Sequence, residues 1–62
     1  MNVFIIDHGF NHSQRFQIMM AAPYGLAHVF PSQIFTLEDA INICNRAGWT
    51  IEKIGSIWQC AN

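Results

Sequence analysis

What the sequence lacks most is charge. Three basic and four acidic side chains in 62 residues give a net charge of −1, and charged residues make up only 11% of the chain, where a typical soluble protein carries about 25%. Phosphate backbones are held by clustered Lys and Arg, so sequence-independent nucleic-acid binding is not expected. Stacking of aromatics on single-stranded bases needs basic neighbours too, and they are missing. Long apolar runs are also absent: the densest stretch, Ile18 to Phe30, is interrupted by Pro23, Gly25 and His28, short of the roughly 18 residues that span a bilayer. No basic region precedes the apolar residues at the N-terminus, so no secretory leader is expected. The expectation is a soluble cytoplasmic protein without nucleic-acid or membrane partners.

The devices of catalysis are equally scarce. There is no glycine-rich phosphate loop, and the lone His8-Gly9 dipeptide carries no weight. Glu38 and Asp39 are adjacent, so on a helix they point about 100° apart and cannot face each other across a substrate. Two cysteines, Cys44 and Cys60, do not define a disulfide framework. Were Trp49 to Cys60 one straight strand, Cys60 would lie roughly 35 Å beyond the helix end, at about 3.3 Å per residue, and could not bridge to Cys44. A turn at Gly55 and Ser56 would bring it back. Two free thiols are expected, Cys44 in the core and Cys60 near a loose end. No catalytic residue and no cofactor is assigned. His8 and His12 stand four apart, a spacing that on a helix would aim two imidazoles at one metal. Gly9 and Asn11 argue against a helix there, and nothing places His28 with them. Metal ligation by His8, His12 and His28 is therefore the alternative reading, and exposed loop histidines the expected one.

What the chain does hold is apolar surface. At 52% hydrophobic residues, a single domain this small cannot hide all of it. Soluble monomers rarely expose large contiguous patches, so self-association or capture of a partner is expected. The clearest element is Thr36 to Trp49. Thr36 is an N-cap with Asp39 at the capping-box position. Leu37, Ala40, Ile41, Cys44 and Ala47 recur at helical spacing and predict one buried face, with Ile43 on its flank. Glu38 and Asp39 in the first turn and Arg46 in the last suit the helix dipole, and Gly48 can close the helix in the left-handed conformation. Phe35, just before the cap, is a candidate hydrophobic staple.

Val3 to Ile6 reads as a strand covered on both faces. Asp7 to Ser13 reads as turn, and Arg15 to Met20 alternates as a second, antiparallel strand with Phe16, Ile18 and Met20 on one side. Pro23 to Gly25 signals a turn, Leu26 to Phe30 a short third strand or an ordered loop, and Trp49 to Ile54 a last strand with Trp49 and Ile51 on one face. Past Ile51 the alternation slips; Gly55 is the expected cause, through a bulge, a kink or a hairpin turn.

These elements predict an α+β fold: a small antiparallel sheet of three to four strands with one amphipathic helix packed on one face, in the order β-β-(β)-α-β. One helix covers only part of such a sheet. The function expected is a non-catalytic protein-binding module, an inhibitor or adaptor of a larger protein, that also forms a homodimer through the apolar sheet face opposite the helix. Viruses and mobile elements encode compact inhibitors of this size. Phe10, Met19, Ile43 and Trp58 are the expected contact residues. Ile43→Asp and Trp58→Ala should weaken association, whereas Leu37→Asp or Ile41→Asp should unfold the domain by burying an unpaired charge.

Overall fold

The computed structural model describes residues 1–9, 15–30 and 34–56. Phe10, His12, Trp58 and Cys60 lie outside the described residues. The elements are β1 (Asn2–Asp7), β2 (Phe16–Ala22), β3 (Gly25–His28), α1 (Leu37–Ala47) and β4 (Thr50–Gly55). Four strands and one helix in the order β-β-β-α-β make the α+β fold expected.

β1 and β2 pair antiparallel, with Ile5 opposite Ile18 and Phe4 opposite Met19. β2 turns at Pro23 and Tyr24 into β3, which pairs antiparallel from Ala22–Gly25 to Met19–His28. The third pairing, β1 with β4, is parallel, so the sheet is mixed rather than antiparallel throughout as expected, in the order β3-β2-β1-β4. Direction counting explains this. Two reversals make β3 run the same way as β1, α1 runs back, and β4 must then run with β1, whose outer edge it joins. The pairing is irregular at one point: Val3 lies opposite Ile51 but Phe4 opposite Lys53, so Glu52 is one residue too many. The bulge falls at Glu52, and Gly55 instead stays in register opposite Ile6.

The helix forms where its caps place it. Thr36 is extended, and its hydroxyl accepts from the Asp39 N–H at 3.1 Å. At the other end Gly48 sits at φ 74°, ψ 24°. Its N–H donates to the Asn45 carbonyl at 3.3 Å, and the Trp49 N–H donates to the Cys44 carbonyl at 2.9 Å. This pair of bonds is a Schellman closure.

Each face of the sheet carries an apolar cluster. On the helix side Val3, Ile5, Phe16, Ile18, Ile34, Ala40 and Cys44 are buried, with Ile41, Ile43, Trp49 and Ile51 packed against them. The two small residues Ala40 and Cys44 are the deepest points of α1. They let the helix axis come close to the strands, while the two isoleucines and Trp49 fill the flanks. This turns the helix away from the face that periodicity alone predicts: Leu37 is 37% exposed, and Ala47 is exposed as well. A charge at Leu37 would therefore reach water, so Leu37→Asp is expected to leave the domain folded rather than to unfold it. Phe35 is 61% exposed and does not anchor the helix start. Ile34 does so: it is buried and bridges to Phe16, whose N–H donates to its carbonyl at 3.1 Å. On the opposite face Ile6 and Met19 are buried, with Phe4 and Leu26 packed against them.

Candidate functional site

A polar cluster lies where β1 ends and β2 begins. The antiparallel register brings Asp7 opposite Phe16, which sets Arg15 beside the Asp7 carboxylate. The guanidinium grips it with two prongs, Nε donating to Oδ1 at 3.0 Å and Nη2 to Oδ2 at 3.2 Å. The Gly9 N–H donates to the same Oδ1 at 2.9 Å, and the His8 N–H to the Arg15 carbonyl at 2.7 Å. The guanidinium also lies 4.9 Å above the Phe16 ring centre, within cation–π range. Hydrogen bonding from Arg15, followed by that from Gly9, holds the Asp7 carboxyl below the usual carboxylate range. A carboxylate so lowered is a poor general base at neutral pH. The cluster therefore clamps the β1–β2 connection. His8 is drawn into it: its Nε2 stands 2.7 Å from the Gln17 side-chain oxygen, within hydrogen-bond distance.

His28 lies on β3, exposed and paired with Met19, and His12 is outside the described residues. Among the described residues no three His, Cys, Asp or Glu side chains come together as metal ligands. Cys44 is a free thiol buried in the core, and desolvation pushes its pKa up, which keeps it protonated and a weak nucleophile.

Of the four expected contact residues, Phe10 and Trp58 lie outside the described residues. Met19 does fall on the face away from the helix, but at 7% exposure it is packed among Ile6, Phe4 and Leu26. Ile43 is half-buried on the flank of α1, against the core. As they sit, both side chains serve internal packing first. Among the described residues the large apolar groups presented to water are Tyr24 at the β2–β3 turn, Phe35 and Leu37 around the helix cap, Met1, and Ile54 on β4, which is 44% exposed. The turn signal around Tyr24 locates it at a tip, and a fully exposed ring there was readable from sequence. Periodicity alone sets Ile54 on the opposite face from Ile51; the bulge between them, a tertiary feature, returns both to one side.

β4 is the barest strand of the sheet. Thr50, Glu52, Lys53 and Ile54 are all exposed, and among the described residues β4 has β1 on one side and no strand on the other. No helix among the described residues is long and apolar enough to cross a membrane. Compared with protein-family models, curated proteins and solved structures, the chain matches none.

Proposed function

We propose that this protein is a small non-catalytic binding module that acts as an inhibitor or adaptor of a larger protein and also self-associates. The observation that carries the reading is the set of large apolar side chains left in water around a well-packed core: Tyr24, Phe35 and Ile54 stand exposed while nine apolar residues among those described are buried. Aromatic rings on a rigid frame are the usual anchors of protein interfaces, since they contribute much contact area for little lost entropy. The scarcity of charge supports an apolar rather than a phosphate-bearing partner. Phe10 and Trp58 belong to the same proposal as contact residues, as does a cytoplasmic setting.

The test is affinity capture from lysate with the tagged wild type and with a Tyr24→Ser, Phe35→Ser double variant. Both positions are exposed, so the variant keeps its circular dichroism spectrum. A protein retained by the wild type and lost from the variant supports the reading. Identical capture by both chains would refute it for these side chains.

A further inference from the structure

We infer that β4 is a self-complementary edge that pairs antiparallel with β4 of a second copy, which specifies the self-association proposed above and rests on it. The inference comes from the bulge. Ile51 lies opposite Val3 and Ile54 opposite Ile5, and both Val3 and Ile5 belong to the helix-side cluster. Ile51 and Ile54 thus share that side of the sheet, while Glu52 and Lys53 together occupy the place opposite Phe4. In an unbulged strand, residues 51 and 54 would fall on opposite faces. The extra residue makes β4 read apolar, acid, base, apolar in a pattern symmetric about its own centre.

A two-fold axis through that centre, normal to the sheet, sets Ile51 opposite Ile54 of the partner subunit and Glu52 opposite Lys53 of the partner subunit. Each pair occurs twice, as an isologous contact requires. Opposite charges facing each other across antiparallel strands stabilise the pairing, and like charges oppose it. A parallel arrangement in register would set Glu52 against Glu52 of the partner subunit. Antiparallel registers shifted either way would set charges against isoleucines. Charged residues and bulges on an edge ordinarily keep other strands away. Here the same charges reject foreign strands while matching a second copy. The exposure of Ile54 at 44%, beside the exposed Glu52 and Lys53, is accounted for by the same contact.

One strand edge buries less than the roughly 1,000 Å² of a stable interface, so the dimer is weak and forms at high protein concentration. The experiment is light scattering of the full chain from about 10 μM to about 1 mM. It is run on the wild type, Glu52→Lys, Lys53→Glu, the double reversal, and an equimolar mixture of the two single variants. Circular dichroism confirms that each is folded. The expected result is a concentration-dependent dimer for the wild type and at least a tenfold weaker dimer for each single variant. Dimerisation returns in the double reversal, and a heterodimer forms in the mixture. A wild type that stays monomeric throughout, single variants that dimerise like the wild type, or a double reversal and mixture that fail to recover would each overturn the pairing. None of those outcomes bears on the Tyr24 and Phe35 capture test, so the two proposals fail separately.

Discussion

Gly48 offers a clean measurement of how much the helix closure contributes. Its φ of 74° lies where an L side chain is strained, yet a Cβ placed there meets no atom within 4 Å. Steric conflict with neighbours is thus removed from the problem, and only the backbone preference remains. A left-handed conformation costs an L-residue about 1–2 kcal/mol, while replacing glycine by alanine stiffens the unfolded chain and returns about 0.4–1 kcal/mol. Gly48→Ala should therefore destabilise by about 0.5–1 kcal/mol, lowering Tm by about 5 °C in a domain of this size. D-alanine at the same position makes the opposite prediction. Its mirror-image preference suits the observed φ and ψ, the entropy gain remains, and Tm should rise by about 3 °C. A chain of 62 residues is within reach of chemical synthesis, and the assay is thermal unfolding followed by far-ultraviolet circular dichroism. Two alanines of opposite hand that shift Tm in the same direction would refute the argument, since the difference between them isolates the backbone term.

Two further predictions concern burial and charge. Leu37→Asp places an acid in the first turn of α1, at an exposed position where the helix dipole favours it, and should leave Tm within a few degrees. Ala40→Asp puts a charge in the fully buried cluster and should abolish the cooperative transition; equal damage from both would mean the helix is turned differently. The Asp7 carboxyl is held below its ordinary value by Arg15 and Gly9. Its pairing therefore contributes stability above the unfolded pKa of about 3.9 and loses it as pH falls through the folded value. Asp7→Asn should have the lower Tm near neutrality and meet the wild type in acid; a Tm gap unchanged between neutral and strongly acid pH would contradict the clamp.

The helix was legible because its signals are local: Thr36 and Gly48 act within one turn of themselves, and the structure makes the bonds they announce. The two faces of β1 were legible from its unbroken apolar run, and the Phe16, Ile18 side of β2 from strict alternation. What could not be read is the product of distant encounters. Periodicity marks a stripe on the helix, but its deepest line depends on how close the sheet lies. The small side chains of Ala40 and Cys44 decided that against Leu37 and Ala47. The parallel joining of β4 to β1 follows from chain direction only once β4 is known to choose that edge. The bulge at Glu52 shows in the sequence as a slip of pattern whose expected cause is Gly55, because a glycine inside a strand commonly marks a bulge. The polar clamp was the least legible part. Asp7 and Arg15 stand eight positions apart in a stretch that reads as turn, and only the strand register brings them together.

The place of β4 beside β1 also bears on how the molecule is made. The sheet is completed by joining its first strand to its last, with the Thr50 N–H donating to the Met1 carbonyl at 2.9 Å. A growing chain therefore presents β1 paired to β2 on one side and bare on the other until β4 has been synthesised. From the end of β2 at Ala22 to the end of β4 at Gly55, at about 5–20 residues per second, that interval is roughly 2 to 7 s. Through it, β1, whose Val3, Ile5 and Ile6 are fully buried in the finished fold, carries an open edge that any neighbouring nascent copy can fill with its own β4. Crowding on one messenger would then favour exchanged strands, and dilute synthesis the self-contained fold.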